Sequence, residues 1–285
     1  MAALINKFFK FLSSNKNIFS SEYEFIEINE QNIGDFHKPI KDFEIAMEHW
    51  YPYGNDYFKI NHGENYFYFF QRIGEMRMNI ILYKGEIIGT ACGVLKKVNG
   101  ELIWYICDLK IKKEHRGIRL PIQLLIKNMD KSKITDKAYG ISMNSNSENK
   151  ILELAQSIPF LNFKKIDNIC IYALTYEQII KVKLILDKIY SEISFINISY
   201  CKKLMFKQSN SEFKILHLNF KPINEKKVQV YSEPQPDYMH MFCILESNSI
   251  NKILNNIDIM PSSTATLIAN NMDSFSWDFL TTSEI

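Results

Sequence analysis

The alternation of apolar and polar residues predicts a series of strands and helices over the first part of the chain. Strands are expected at Glu22–Ile28, Asn79–Tyr83, Ile87–Val98, Glu101–Lys112, Ala138–Met143 and Ile169–Leu174, and helices at Asp35–Trp50, Pro121–Lys131 and Lys150–Ser157. Turns at Lys84–Glu86 and Asn99–Gly100 join three of the strands into an antiparallel meander. The helix that follows the meander favours a parallel strand after it. The pattern therefore predicts an α+β fold with a mixed, mostly antiparallel sheet flanked by helices.

The chain changes character after Gly140, because all ten glycines lie at or before that residue. Beyond it, strands are expected at Phe213–Phe220, Tyr238–Leu245, Thr264–Asn270 and Ser274–Leu280, helices at Glu177–Tyr190 and Ile250–Ile257, and connections at Lys202–Phe213 and Pro222–Pro236. We therefore divide the chain into an N-terminal arm, a first domain and a smaller C-terminal α+β domain. These parts comprise residues 1–20, 21–175 and 176–285.

Two aromatic segments precede the meander. Tyr51–Asp56 carries Pro52, Gly54 and Asn55 and is typical of a turn. Tyr66–Phe70 is an uninterrupted run of five aromatic residues. Such a run forms part of a core or lines an apolar channel, and we expect core.

Composition narrows the class of protein. Of 285 residues, 46% are hydrophobic and 23% charged, and the net charge is +2, so the chain is expected to fold and bulk nucleic-acid binding is not expected. The five cysteines include no Cys-x-x-Cys pair, which indicates reduced thiols in the cytoplasm and neither a disulfide scaffold nor a zinc site. No apolar run reaches the roughly 18 residues of a membrane span.

The first 20 residues carry apolar side chains that Lys7 and Lys10 interrupt. A secretory signal needs an unbroken apolar centre, so the segment does not fit one. It fits a weak surface-associated helix, an organelle address or a mobile arm that folds back on the domain, and we favour the arm.

The loop after the longest predicted strand contains the clearest chemical signal. A strand that leads through a tight loop into a helix presents unpaired amide groups and the positive end of the helix dipole to an anion. Arg116 and Arg119 add positive charge there, as do Lys110, Lys112 and Lys113. Arginine binds phosphate through two parallel hydrogen bonds, so a pyrophosphate group is the expected guest.

These residues resemble the GNAT superfamily of acyl-CoA-dependent N-acyltransferases. The family pattern is an apolar-x-apolar strand end, a few polar residues, then Arg/Gln-x-x-Gly-x-Gly/Ala, and Leu109-x-Ile111 and Arg116-Gly117 match it. The predicted element order up to Leu174 also resembles that fold, with Asn162-Phe163 where the family usually has Gly-Phe. Arg119 and Pro121 replace the two family glycines, and in that detail the loop resembles N-myristoyltransferases.

The resemblance implies a binding site for acyl-CoA. The backbone groups of Leu109 and Ile111 would pair with the pantetheine amides, and the amides of Asp108 and Leu109 would stabilise the oxyanion. The residues that would hold the pyrophosphate are Arg116, Gly117, Ile118, Arg119, Leu120 and Pro121. Asn146 either contacts the cofactor or caps the following helix.

The resemblance further implies direct attack of an amine on the thioester. Tyr105 and Asp108 are the candidate catalytic groups, although an ordinary strand aromatic and a solvated carboxylate are the alternative interpretations. The family's usual acid Tyr is missing, which leaves Tyr172, Tyr139 or water to protonate the thiolate. Cys107 fits buried packing better than a nucleophile, and we interpret His217 and His240 as isolated structural histidines.

The resulting hypothesis is an N-acyltransferase that moves an acyl group, most simply acetyl, from acyl-CoA to a small-molecule or peptide amine. The myristoyltransferase-like loop and the aromatic run at 66–70 suggest a longer acyl chain as the alternative. A second alternative is a module that binds acyl-CoA without turnover, since the acid Tyr and the loop glycines are missing.

Overall fold

The computed structural model describes residues 22–48, 50–117, 120–124, 134–144, 149–158, 161–220 and 228–285. The strands are β1 Tyr23–Ile28, β2 Tyr51–Tyr53, β3 Asp56–Asn61, β4 Glu75–Tyr83, β5 Glu86–Val98, β6 Glu101–Ile111, β7 Ala138–Met143, β8 Lys164–Leu174, β9 Ser194–Asn197, β10 Lys203–Phe206, β11 Glu212–Phe213, β12 Ile215–Asn219, β13 Gln229–Tyr231, β14 Met239–Leu245 and β15 Ser263–Asn270. The helices are α1 Ile33–Ala46, α2 Tyr66–Ile73, α3 Lys150–Gln156, α4 Tyr176–Leu186 and α5 Ile250–Asn255. Residues 120–124 are also helical, and Lys113–His115 form one 3₁₀ turn.

The described strands form one large sheet of 11 strands and one small sheet of four. The large sheet has the order β1-β4-β5-β6-β7-β15-β8-β14-β12-β9-β13, and the small one β11-β10-β3-β2. Neighbours in the large sheet are antiparallel except for two parallel pairs, β6 with β7 and β12 with β14. The predicted fold class, α+β with a mixed, mostly antiparallel sheet flanked by helices, is confirmed.

Alternation along the strands gives the large sheet two apolar faces, and each face is covered by different elements. On the first face, side chains of α1, α2 and the small sheet pack on the sheet, among them Phe43, Phe67 and Phe206. On the second face, residues 120–124, α3, α4 and α5 pack on it. The aromatic run at the start of α2 is therefore core, as expected, with Phe67, Phe69 and Phe70 buried.

The two halves of the chain exchange their last strands. In the first half, α3 connects β7 to β8, and in the second, α5 connects β14 to β15. However, β15 lies between β7 and β8, and β8 lies between β15 and β14. Each half therefore places its final strand beside the penultimate strand of the other half. The order β7-β15-β8-β14 at the centre of the sheet is symmetric about the β15–β8 pair.

Three local predictions are wrong. Lys202–Phe213, expected as a connection, contains β10, whose alternating Leu204 and Phe206 are buried against β3. Pro222–Pro236, also expected as a connection, contains β13, which pairs with β9, whereas the turn expected in Tyr51–Asp56 is present between β2 and β3. Ser274–Leu280 is not a strand, because its backbone turns, with the Leu280 amide donating to the Trp277 carbonyl at 3.1 Å.

The apolar helices of the described residues are all short. None of them is long and hydrophobic enough to cross a lipid bilayer. The predicted arm, residues 1–20, lies outside the described residues.

Candidate active site

A gap opens in the middle of the large sheet between β6 and β7. The two strands pair in parallel at Trp104–Ala138, Tyr105–Tyr139 and Ile106–Gly140, and the pairing ends there although both strands continue. A Cβ on Gly140 would lie 3.2 Å from the Ile106 carbonyl oxygen, so the missing side chain allows the close approach at the last rung. Leu109 and Ile111, whose backbone groups the resemblance assigns to the pantetheine amides, lie beyond this last pair.

A β-bulge in β6 coincides with the gap. Cys107 is opposite Cys92 and Lys110 is opposite Thr90, so that Asp108 and Leu109 together face Ala91 of β5. Asp108 has a φ of 53°, in the left-handed region, and its carbonyl oxygen accepts a hydrogen bond from the Thr90 hydroxyl at 2.9 Å. The bulge turns the end of β6 away from β7.

The bulge leaves backbone groups of β6 directed at the gap. The Lys112 amide donates to the Ile88 carbonyl of β5 at 2.8 Å, so Lys112 and, by alternation, Lys110 face β5. Leu109 and Ile111 therefore point their amide and carbonyl groups towards the gap. The Ile111 carbonyl accepts a hydrogen bond from Arg116 Nε at 3.0 Å. An extended chain that carries amide groups can pair with such an edge.

The loop after β6 turns sharply towards residues 120–124. Gly117 has a φ of 87°, which favours glycine, and a Cβ at that position would meet open space. Leu120 is buried in the core, and Pro121 has no amide hydrogen to donate, so of these two only the Leu120 backbone can contribute an N–H group. Ile118 and Arg119 lie outside the described residues, as does Asn146.

Two of the loop lysines have other partners. Lys110 Nζ lies 2.6 Å from Asp108 Oδ1, on the first face of the sheet, and so its charge is neutralised away from the loop. Lys112 Nζ lies 3.5 Å from Glu86 Oε2. Of the two arginines that we expected to bind an anion at this loop, Arg116 lies among the described residues and Arg119 does not.

A buried polar network surrounds Asp108 on the first face. The Tyr66 hydroxyl of α2 donates a hydrogen bond to Asp108 Oδ2, and Lys110 Nζ donates to the Tyr66 hydroxyl at 3.2 Å. The Thr90 hydroxyl also donates to Asp108 Oδ2, at 3.2 Å. The Asp108 side chain is only 5% exposed, so the interpretation as a solvated carboxylate is wrong.

The network sets the protonation of its members. Burial and the Asp108 charge hold the pKa of Tyr66 well above its usual value, so Tyr66 stays a hydrogen-bond donor. Burial alone would lower the pKa of Lys110, but Asp108 and Glu44 outweigh it, and the pKa is raised. Lys110 is therefore a cation beside the carboxylate.

A second acid–base pair extends this network towards α1. His62 Nδ1 forms a short hydrogen bond with Glu44 Oε1, and the same oxygen lies 4.0 Å from Lys110 Nζ. The His62 ring packs on the rings of Tyr66, Phe69 and Phe70, with centroids between 4.7 and 5.6 Å apart. Both Glu44 and His62 are buried, so the first face presents two carboxylates next to the gap.

The candidate tyrosines divide between the two faces. Tyr105 is 4% exposed and stacks on Tyr139 at 4.8 Å, one residue before the gap opens. Burial and then the nearby Cys107 hold the pKa of Tyr105 well above its usual value, so its hydroxyl stays protonated, remains a hydrogen-bond donor and does not act as a base at neutral pH. Tyr172 instead stacks on Phe242 on the second face and donates to Asn251 Oδ1 at 2.8 Å, away from the gap.

The two histidines discussed above do not form a pair. His217 Nδ1 lies 2.8 Å from the Thr282 hydroxyl on the first face. His240 Nε2 accepts from the Gln235 amide at 3.1 Å, and its ring lies against Phe195 on the second face. Since they face opposite sides of the sheet, they cannot share a ligand.

Several residues of the network were not assigned from the sequence. Tyr66 stood in a run that we interpreted as core, and Glu44 and His62 carried no motif. The one local signal was Asn65, whose side chain caps α2 by accepting from the Tyr68 amide and so fixes where Tyr66 begins the helix. Contacts between residues 42 apart, such as Tyr66 with Asp108, depend on helix packing that a local pattern does not contain.

Comparison with known proteins gives distant likenesses. No protein family model matches the chain. An uncharacterized protein of Acanthamoeba polyphaga mimivirus is 23% identical over 296 residues, which cover 96% of this chain and 84% of that protein.

Among solved structures, the chain is similar to a tandem GNAT protein from the clavulanic acid biosynthesis pathway, with 7% identity, a TM-score of 0.47, and coverage of 87% of this chain and 98% of that one. It is also similar to Arabidopsis thaliana Naa50 in complex with a bisubstrate analogue, with 14% identity, a TM-score of 0.36, and coverage of 52% and 86%. A third is an aminoglycoside acetyltransferase from an uncultured soil metagenomic sample in complex with sisomicin, with 15% identity, a TM-score of 0.37, and coverage of 49% and 88%. The chemistry proposed below rests on the gap and its side chains.

Proposed function

We propose that the protein is an acyl-CoA-dependent N-acyltransferase of the GNAT type, in which the gap between β6 and β7 binds the thioester donor. The observation that carries the proposal is the coincidence of three features at one point: the end of the β6–β7 pairing at Ile106, the bulge at Asp108 and the turn at Gly117. Together they supply a slot for an extended chain and a loop for its anionic end.

In this proposal the donor lies along β6. The Leu109 and Ile111 backbone groups pair with the pantetheine amides, and the pyrophosphate meets the residues from Arg116 to Leu120. The thioester carbonyl then lies by the amides of Asp108 and Leu109, which stabilise the oxyanion. Such a donor contributes about 3–4 kcal/mol to transition-state stabilisation in well-studied enzymes.

The acceptor amine approaches from the first face, where the buried carboxylates of Asp108 and Glu44 favour a cationic group. The cationic amine transfers one proton to Asp108, and its neutral nitrogen then attacks the thioester carbon. A C–N bond forms as the C–S bond breaks, and the CoA thiolate takes the second proton of the attacking nitrogen, with the Tyr105 hydroxyl, which burial keeps protonated, as a hydrogen-bond donor to the departing sulfur. Tyr66 and Lys110 position the Asp108 carboxylate through their bonds to it.

Acetyl is the first donor to test. The aromatic run at 66–70 was one reason to consider a longer acyl chain, but its three phenylalanines are buried in the core and do not line the gap. The resemblance of the loop to N-myristoyltransferases keeps myristoyl-CoA in the comparison. We also propose that residues 21–175 form the acyl-CoA-binding domain and residues 176–285 a smaller α+β domain.

The proposal is tested by calorimetric titration of acetyl-CoA and myristoyl-CoA, followed by thiol release with a panel of small amines and peptides. We expect CoA thioester binding that Arg116→Ala weakens about tenfold, because a charge-assisted hydrogen bond contributes about 1.5–3 kcal/mol. Lys97→Ala, at an exposed position near the far end of β5, is the matched control and should leave binding unchanged.

The possible results separate the hypotheses. Thiol release that depends on an amine supports the transferase. Binding without any thiol release from amines, peptides or proteins would instead establish the non-catalytic module. Absence of CoA thioester binding would refute both.

A further inference from the structure

A second gap lies in the large sheet, between β12 and β14. These strands pair in parallel at Ile215–Met239, Leu216–His240 and His217–Met241, and then separate, although β12 runs to Asn219 and β14 to Leu245. Beyond that point each strand keeps its other neighbour, β9 for β12 and β8 for β14. The gap is therefore bounded by two fixed strand edges.

The end of the chain holds this gap open. The Met239 amide donates to the Lys214 carbonyl at 3.0 Å, so Met239 and, by alternation, Met241 direct their backbone towards β12. The Met241 carbonyl instead accepts from the Thr282 hydroxyl at 3.1 Å, and the same hydroxyl lies 2.8 Å from His217 Nδ1. Thr282 thus replaces the next rung of the ladder, and the strands part beyond it.

A cavity of about 230 Å³ lies along the part of β14 beyond the last pair, and Phe220, the residue after β12, forms part of its wall. Its wall includes Ile169, Phe220, Ile244, Leu245, Trp277 and Leu280. Ile169 and Trp277 belong to the core of the first face, whereas Ile244 and Phe220 belong to that of the second, so the cavity extends between the two faces. Such a slot, flanked by strand edges and lined by apolar side chains, suits an extended hydrocarbon chain better than a ring system.

The described wall of the cavity carries a negative charge. Among the described residues that line the cavity there is no lysine, arginine or histidine, and Asp278, Asn248 and Tyr190 are polar. Asp278 Oδ2 accepts from the Ser276 hydroxyl at 2.7 Å and Asn248 Oδ1 accepts from the Ile250 amide at 2.9 Å, so both are fixed in place. A carboxylate at the wall repels a carboxylate or phosphate head.

We propose that the gap between β12 and β14 is a second binding site, which takes a linear alkyl chain with an uncharged polar head such as an amide. An apolar cavity of roughly 150 Å³ accommodates benzene, so this one has room for a chain of about eight carbons. The site is separate from the acyl-CoA gap, because β7, β15, β8 and β14 lie between the two.

Octanamide is the probe, with octanoate as its charged counterpart. Calorimetry on the full chain should give an octanamide Kd at least tenfold lower than that for octanoate. Leu245→Trp adds an indole to the wall and should weaken octanamide at least tenfold, and Leu280→Trp is the second filling variant in case the first does not fold. Leu184→Trp, on the exposed side of α4, is the matched control and should bind like wild type.

The titration also separates this site from the first gap. Acetyl-CoA binding should be the same in wild type and in the filled variants, whether or not the proposed transferase activity is found. The proposal is wrong if octanamide does not bind, if it binds a folded filling variant as tightly as wild type, or if octanoate binds equally well.

Discussion

Lys110 and Asp108 form a close ion pair within one strand, with Nζ 2.6 Å from Oδ1, at the position where that strand leaves its neighbour. The bulge places the Asp108 carboxylate on the first face, where Tyr66 also reaches it. The pair is buried, so each charge depends on the other, and removal of one leaves an uncompensated charge beside the gap. The bulge at Asp108 therefore both opens the sheet and positions the carboxylate.

Tyr66→Phe tests the positioning of Asp108. The variant loses the hydrogen bond to Asp108 Oδ2 and the acceptor for Lys110, but keeps the buried ring. We expect kcat for amine-dependent thiol release to fall about tenfold or more, because a hydrogen bond to a charged group contributes about 1.5–3 kcal/mol. The Kd for acetyl-CoA should change less than twofold.

Tyr68→Phe is the matched control, since Tyr68 lies two residues further along α2 and packs against Tyr200 at 5.6 Å. Its kcat should equal that of wild type. Equal losses in the two variants would show that the hydroxyl of Tyr66 has no special role.

Gly117→Ala tests the loop that would hold the anion. The φ of 87° costs an alanine about 1–2 kcal/mol, although there is space for the methyl group. The loop should relax into other conformations, and the Kd for CoA should rise by about 5- to 30-fold, as that free energy implies.

Gly100→Ala is the control for backbone strain alone. Gly100 has a φ of 88°, and its Cβ would also meet open space, but it lies in the hairpin between β5 and β6, at the opposite end of both strands. It should lower the melting temperature and leave the Kd for CoA unchanged. If both variants weaken CoA equally, Gly117 has no local role.

The first half of the fold could be predicted from the sequence because its contacts are mostly local. The meander from Asn79 to Ile111 is joined by tight turns, and the parallel arrangement of β7 follows from the helical pattern before it. The backbone of Leu109 and Ile111, which the resemblance assigned to the pantetheine amides, lies beyond the last β6–β7 pair at Ile106–Gly140. These features depend on residues that are close in the chain.

The exchange of strands and the polar network could not be predicted in this way. The Thr264–Asn270 pattern indicates a strand, but nothing in it specifies β7 and β8 as the neighbours of β15, more than 90 residues earlier in the chain. Asp108 gives no local sign of a positive φ. Tyr66 shows its role only when α2 is placed over the bulge.

Leu267→Ala tests whether the exchanged strand couples the two halves. Leu267 is fully buried in β15, opposite Ile141 of β7 and Asp167 of β8. The substitution should lower the free energy of unfolding by about 2–5 kcal/mol. Because β15 bonds both halves, amide hydrogen exchange measured by mass spectrometry should accelerate equally in peptides from β6 and β14.

Leu184→Ala, on an exposed position of α4, provides the comparison and should leave both peptides unchanged. Faster exchange confined to β14 in Leu267→Ala would mean that the halves unfold independently.

Lys202 makes the stability of the protein depend on pH. Its side chain is buried, its Nζ donates to the Thr282 carbonyl at 2.8 Å and to the Ile285 carbonyl, and burial together with Arg72 lowers its pKa from 10.5 to about 7. Between those two values the unfolded chain holds a proton that the folded chain lacks, so the contribution of Lys202 to stability rises with pH in that window. Below about pH 7 the amine is charged in both states and the contribution is at its lowest.

The free energy of unfolding of wild type relative to Lys202→Met should therefore increase by about 1.4 kcal/mol per pH unit between roughly pH 7.5 and 9.5, measured by urea denaturation. Lys207→Met, at an exposed position, should show no such slope, and a difference between wild type and Lys202→Met that stays constant with pH would mean that Lys202 is charged in the folded protein.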